Sequence, residues 1–127
     1  MRIIITGGRD RKARNAIEGE FDRLYDFDVW DGCSGRFTII HGDCPTGVDH
    51  DAAKFADDHG FPAEPHPADW TKYGRAAGPR RNEEMAESGA ELCFAFPSST
   101  RSPGTWDMIR RAVAHGIKTI IIPEEKA

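Results

Sequence analysis

With 127 residues, 39% of them hydrophobic and 30% charged, the chain is long enough to bury one core and too short for two, so a single domain over 1–127 is expected. A formal net charge of −4 and a pI near 5.7 supply no general field to draw in nucleic acid and argue against non-specific duplex binding. The three cysteines, Cys33, Cys44 and Cys93, form no C-x-x-C pair, which points away from a disulfide framework or zinc knuckle, and no apolar run suits a signal peptide or membrane span, so the expected compartment is the cytoplasm.

Ile3-Ile4-Ile5 is an apolar run of the kind carried by a strand buried on both faces. Ile17, Phe21, Leu24 and Tyr25 recur at helical spacing and predict a helix from about Lys12 to Phe27. Asp28 to Arg36 reads as a loop, because Gly32, Ser34 and Gly35 break both periods, with Val29 and Trp30 available to cover the core edge. Phe37-Thr38-Ile39-Ile40-His41 is a second strand, and Val48, Ala52, Phe55 and Ala56 give a helix that Gly60 is suited to end. Phe61 to Pro67 is a weak third strand: Pro62, Pro65 and Pro67 remove ladder donors and confine it to a sheet edge. A helix from Gly78, with Pro79 in its first turn and Asn82, Met85, Ala86 and Gly89 on one face, precedes the strand Leu92-Cys93-Phe94-Ala95-Phe96. Ile109, Ala112 and Val113 mark a last helix ending near Gly116, and Thr119-Ile120-Ile121-Ile122 supplies the fifth strand.

Strands alternating with helices in this order predict a three-layer Rossmann-like α/β fold with a five-stranded parallel sheet of order 3-2-1-4-5. Such sheets bind ligands at the carboxyl ends of strands, where the strand order reverses. Here the reversal falls between the first and fourth strands, so Thr6 to Asp10 and Pro97 to Thr105 flank it. The chain returning over the sheet brings Asp69 to Arg81 toward the same crevice.

Thr6-Gly7-Gly8-Arg9-Asp10 matches neither G-x-G-x-x-G nor the P-loop, so neither a dinucleotide fingerprint nor an ATPase is supported. It reads either as a tight turn with Asp10 capping the next helix or as a loop placed to contact phosphate. Arg9, Arg11, Lys12 and Arg14 form one basic cluster beside it, and Arg75, Arg80 and Arg81 form another. In the second glycine loop Gly42 and Gly47 frame Asp43 to Thr46, where Thr46 and loop amides can meet a ribose or phosphate; Asp49 fixes the loop, binds a hydroxyl or simply favours the helix dipole. His41, Asp43, Asp49, His50 and Asp51 lack a known ligand spacing, and no metal is expected.

Arg80 and Arg81 near a helix start oppose its dipole, which suggests a nearby anion unless they pair with Glu83, Glu84 or Glu87. Asn82 can bond a base or loop carbonyl, or pack; Trp70, Tyr73 and Trp106 can stack on a base or anchor core and loops. Thr105 is the N-cap candidate of the last helix, with Ser98, Ser99, Thr100 and Gly104 as further donors to a phosphate. Asp107 falls in that helix's first turn and is structural, binds ribose hydroxyls or assists an attacking water. His59, His66 and His115 read as ordinary, and Cys93 as core.

The combined pattern of Thr6-Gly7-Gly8-Arg9-Asp10, His41-Gly42 with Gly47 and Asp49, Pro67-Ala68-Asp69-Trp70, Gly74, Ala77-Gly78-Pro79-Arg80-Arg81-Asn82, Met85 and Gly104-Thr105 resembles the YspA-like, cpYpsA-related branch of the SLOG superfamily. The likeness runs from Met1 to about Pro123, and the Ala-Gly-Pro-x-Arg-Asn run after Asp-Trp is its most specific part. It implies a Rossmann-like fold that binds a small-molecule nucleotide or derivative as sensor or processing enzyme, with members in bacterial and phage genomes, and a homodimer. No further cofactor is required.

A distant similarity to the Lonely Guy phosphoribohydrolases implies an alternative, cleavage of the N-glycosidic bond of nucleoside monophosphates with an arginine and a glutamate. Arg81, four residues before Met85, stands at the arginine position, with Asn82 in place of a lysine. Ser102-Pro103-Gly104-Thr105 is a reduced form of the hydrolases' glycine loop. Met108 occupies the glutamate position, and Asp107 lies one residue early, about 100° around the helix. A third reading is an interaction module of a larger assembly, or a single-stranded DNA binder as other SLOG members are, though the net acidity disfavours direct DNA binding.

The expected site therefore has helix N-termini after Gly8 and Gly104 holding phosphate, Arg9 and Arg81 adding charge, and Trp70 or Asn82 contacting the base. Thr6, Gly7, Gly42, Gly47, Asp49, Arg80 and Thr105 complete the binding set. In the hydrolase alternative Arg81 stabilises the phosphate or leaving group, and Asp107 or Asp49 supports the ribose cation and its water.

Overall fold

A computed structural model of the chain describes residues 1–26, 37–99 and 101–124. In chain order the elements are β1 (Arg2–Gly7), α1 (Arg14–Asp26), β2 (Thr38–His41), α2 (Gly47–His59), β3 (Ala63–Pro65), α3 (Trp70–Tyr73), a 3-10 turn (Gly74–Ala76), α4 (Ala77–Ala86), β4 (Leu92–Phe96), α5 (Pro103–Ala114) and β5 (Lys118–Ile121). The expected loop at 28–36 with Val29 and Trp30, the side chain of Tyr25, and Thr100 lie outside the described residues.

All pairings are parallel, and the sheet order is β3-β2-β1-β4-β5, as the alternation of strands and helices predicts. Ile4 stands opposite both Ile40 and Cys93 within the sheet, and helices cover both of its faces, which is why the central strands read as largely apolar runs. On one face Ile3, Ile5, Ile39 and Phe94 pack with Ile17 and Phe21 of α1 and Val48 and Phe55 of α2. On the other, Ile4, Ile40 and Cys93 meet Met85 of α4 and Met108 and Ala112 of α5. Phe21 anchors the first layer, with ring centroids 4.6 Å from Phe55 and 5.6 Å from Phe94. Each such ring contributes roughly 1.5–3 kcal/mol through burial. Burial also pushes the Cys93 thiol up to about 12.

The prolines act as expected, leaving β3 a three-residue edge strand. Three boundaries differ from expectation, each for a local reason. Asp69 accepts the Lys72 N–H at 3.0 Å and starts a helical turn at Trp70, so α3, the 3-10 turn and α4 replace one helix from Gly78. Helix α1 begins at Arg14, too late for Asp10 to cap it; instead the Asp51 carboxylate accepts the Ala13 N–H at 2.8 Å. Helix α5 begins with Pro103, whose fixed φ suits the first helical position, so Ser102 is the N-cap and Thr105 lies inside the first turn. Asp107 then falls beyond that turn. No helix among the described residues is long and apolar enough to cross a membrane.

Candidate functional site

Gly7 of β1 pairs with Phe96 of β4, and the chain leaves these two strand ends toward helices on opposite faces of the sheet. A cleft of about 990 Å³ opens there, at the size where small-molecule sites are found. Two glycines let the loops converge. The Gly8 N–H donates to the Phe96 carbonyl at 3.1 Å, and a Cβ on Gly8 would collide with the Ser98 hydroxyl, which itself donates to the Asp10 carboxylate. Gly47, at φ 70°, lies against Gly8 and Arg9, so α2 docks beneath the first loop and the Val48 N–H reaches the Gly8 carbonyl at 3.1 Å. Gly47 shapes the site without lining it.

The second loop is held from two sides. Asp49, in the first turn of α2, accepts the amide N–H of Gly42 and that of Cys44, the latter at 3.4 Å. Burial raises the Asp49 carboxyl above its ordinary range, against the opposing pull of the nearby Arg81 and Arg9 charges. Arg81 Nη1 donates to the Gly42 carbonyl at 2.6 Å. Upstream, the buried His41 accepts the Asp43 N–H on Nδ1 at 3.0 Å, and burial depresses its pKa.

Arg81 also fixes its neighbour. Its Nε donates to Asn82 Oδ1 at 3.0 Å, while Asn82 Nδ2 donates to Asp107 Oδ2 at 2.9 Å and to the Gly104 carbonyl at 3.2 Å. Arg111 Nε donates to the same Asp107 oxygen at 2.9 Å. Asn82 is thus a brace between α4 and α5, its amide engaged with protein at both ends, and it also lines the cleft. The carboxylate of Asp107 lines the cleft in a fixed orientation.

The third loop supplies the donors. Gly104 and Thr105 line the cleft at the start of α5, whose first turn carries no acidic side chain. Thr105 is 4% exposed and Thr6, at the end of β1, is 8% exposed; both line the cleft, and among the described residues neither hydroxyl has a hydrogen-bond partner. Around them stand Arg9, Arg75, Arg101 and Arg110. Trp70 is 49% exposed, with the Arg9 guanidinium 5.5 Å from its ring centre. Backbone donors at a helix start, guanidiniums and free hydroxyls can together hold phosphoryl oxygens.

Several expected residues stand elsewhere. Arg80 stacks 4.3 Å over Tyr73, and both line a shallow neighbouring depression; Trp106 lies on the exposed side of α5. Neither arginine pairs with the glutamates weighed for them: Glu84 meets His66, and Glu83 meets Arg111 and His115. Of the first basic cluster only Arg9 faces the cleft. Arg11 is buried, donating to the carbonyls of Pro97 at 3.0 Å and Ile122 at 2.6 Å, and Arg14 pairs with Glu18 and Asp58. Because α1 starts at Arg14, no helix N-terminus directly follows Gly8, so that expected phosphate position falls to loop and Arg9 alone. His41, Asp43, Asp49, His50 and Asp51 do not converge; among the described residues the group with metal-ligand spacing is Glu83, Glu87 and His115, on the outside of α4 and α5. Sequence reasoning missed Arg101 and Arg110. Their signal was position, one just before the Ser-Pro-Gly-Thr loop and the other three residues beyond Asp107.

The model of the YspA, cpYpsA-related SLOG family matches residues 1–73, from β1 through the first two loops to the Asp69-Trp70 turn. The chain belongs to this family. The chain is also similar to the Gene 61 protein of Mycobacterium phage D29, 34% identical over 131 aligned positions that cover 94% of each chain. The SLOG match contains Thr6 to Asp10 and Gly42 to Asp49, while Arg81 and the Gly104-Thr105 loop lie beyond it.

Proposed function

We propose that the cleft binds a nucleotide or a nucleotide derivative. One observation carries the reading: the first turn of α5, free of acidic side chains, opens into the cleft beside Thr105 and Thr6, whose hydroxyls have no hydrogen-bond partner among the described residues and stay accessible from the cleft. A phosphoryl group supplies the acceptors that these donors lack. The half-exposed Trp70 offers a face for a base, and the SLOG relationship supports a nucleotide-related ligand. The test is mass spectrometry of ligand released from the purified protein, joined to thermal-shift measurements over a panel of nucleotides. A nucleotide that raises the melting temperature of the wild type and not of Thr105→Val supports the reading; a panel without effect contradicts it.

Hydrolysis of the N-glycosidic bond is the second reading, and the placement of Asp107 favours it. Met108, at the position corresponding to the hydrolases' glutamate, is wholly buried in the core, whereas Asp107 lines the cleft with one oxygen held by Asn82 and Arg111. A fixed carboxylate can support a ribose cation or orient a water. Release of free base from a nucleoside monophosphate, lost in Asp107→Asn, would establish it.

A further inference from the structure

The Asp107 carboxylate is held by one oxygen and open at the other. Oδ2 accepts the Asn82 amide and the Arg111 Nε–H, both at 2.9 Å. Among the described residues Oδ1 has one charged neighbour, Arg110, whose Nη2 stands 3.8 Å away on a side chain that is 70% exposed. That separation allows an ion pair but lies beyond hydrogen-bond reach. The Asp107 side chain keeps 21% of its surface accessible and lines the cleft, and with Oδ2 covered by two donors Oδ1 is the acceptor it has left to offer. Two donors on one oxygen also fix the direction in which the other points.

An ionised carboxylate has lone pairs and no proton, so what it takes from a ligand is an O–H or N–H group. It repels phosphoryl oxygens, and the part of a nucleotide that meets it is an uncharged one. Sugar hydroxyls and the N–H groups of the base are the two choices, and position decides between them. Asp107 follows Thr105 by two residues on α5, about 3 Å along the helix axis. It therefore stands next to the phosphoryl position proposed at the start of that helix, and the sugar is the group joined to the phosphoryl. The base lies beyond the sugar, and the ring offered to it, Trp70, belongs to α3 and stands by Arg9 of the first loop.

We infer that Asp107 selects the sugar of the ligand: its Oδ1 accepts a hydrogen bond from a ribose hydroxyl, so the cleft favours ribonucleotides over their deoxy counterparts. The inference rests on the nucleotide reading above and names the sugar that this reading leaves open. Asn82 and Arg111 are positioning residues, because they hold the carboxylate by its other oxygen. An acceptor built for a hydroxyl rejects the analogue that lacks it, since the charged oxygen is then covered by ligand and left unpaired.

Titration calorimetry of the full chain with adenosine, guanosine, cytidine and uridine 5′-monophosphates tests this, each nucleotide set beside its 2′-deoxy and 3′-deoxy forms and the corresponding fluoro forms. For the preferred base, loss of the contacted hydroxyl should weaken binding about tenfold or more, the effect of removing a hydrogen bond to a charged group. Fluorine at the same carbon nearly fills the space of the hydroxyl but donates nothing, so that form should bind as weakly as the deoxy form. In Asp107→Asn the donors Asn82 and Arg111 hold the amide oxygen, which turns the NH2 group toward the cleft; the ratio of ribo to deoxy affinity should fall, while the deoxy form binds about as well as it does to the wild type. An unchanged melting temperature of the free variant shows that folding is intact, and if the variant does not fold, the fluoro series on the wild type decides. Equal affinity for ribo and deoxy forms, full affinity of both fluoro forms, or an unchanged ratio in folded Asp107→Asn overturns the inference and leaves the nucleotide reading standing. No binding of any nucleotide overturns the nucleotide reading and the inference with it.

Discussion

The Asn82 amide lies 2.9 Å from the Asp107 carboxylate, and the same nitrogen reaches the Gly104 carbonyl at 3.2 Å. One buried side chain thus ties α4 to the loop that opens α5, and its oxygen takes the Arg81 Nε.

Removing the amide tests the junction. Asn82→Ala removes the donor to the Gly104 carbonyl and the acceptor for Arg81 Nε, and leaves the Asp107 carboxylate to Arg111, all in a part-buried setting, and should cost about 1–3 kcal/mol. Urea unfolding measures this directly. A loss below about 0.5 kcal/mol, the range of neutral surface changes, would show that the brace does not matter.

Two glycines should respond in opposite ways. Gly8→Ala drives a methyl into Ser98 and should destabilise the fold by roughly 1–3 kcal/mol, as overpacking does. At Gly104 an added Cβ meets nothing within 4 Å, and alanine suits a helix better by about 0.5–1 kcal/mol. Gly104→Ala should therefore keep or raise the melting temperature while weakening nucleotide binding about tenfold, or ~1.4 kcal/mol, because the methyl takes up ligand space. Thermal melts and calorimetry on both variants separate the two effects.

The sheet order was legible because Ile3 to Ile5 and Leu92 to Phe96 are apolar throughout, Phe37 to His41 is apolar but for Thr38 and His41, and helical repeats separate them, a pattern that few topologies accommodate. Glycine position revealed the switch point for the same reason. The details that failed depend on contacts between distant residues. That Arg11 turns inward to the carbonyls of Pro97 and Ile122, while Arg101 has no partner among the described residues, follows from where β4 and β5 end and cannot be read from spacing. Arg80 and Arg81 are adjacent in sequence, yet only Arg81 reaches the main cleft while both border the smaller depression, since neighbours on a helix face directions about 100° apart.

Acid should weaken the fold through His41. Its folded pKa lies below the ordinary value near 6.5, so its contribution to stability is present above that value and is lost as pH falls through the folded pKa. Protonation also removes the acceptor for the Asp43 N–H. The stability difference between wild type and His41→Asn, measured by urea unfolding from pH 7.5 to pH 4.5, should shift against the wild type on acidification. Parallel profiles would contradict this.

Thiol chemistry can report occupancy of the cleft. Cys44 lines it and is partly exposed, whereas Cys93 is buried with its thiol pushed up to about 12. Iodoacetamide followed by peptide mapping should label Cys44 in the native protein and Cys93 only after unfolding. Saturating nucleotide should slow labelling at Cys44; an unchanged rate would place the ligand elsewhere.

The central claim is that phosphoryl oxygens occupy the start of α5, beside Thr105. Calorimetric titration of wild type and Thr105→Val with the nucleotide that binds best tests it most directly. The account predicts measurable binding to the wild type and a loss of about tenfold or more in the variant, the effect of removing one hydrogen bond to a charged group. Equal affinities in two equally stable proteins, or no nucleotide binding to the wild type, would contradict it.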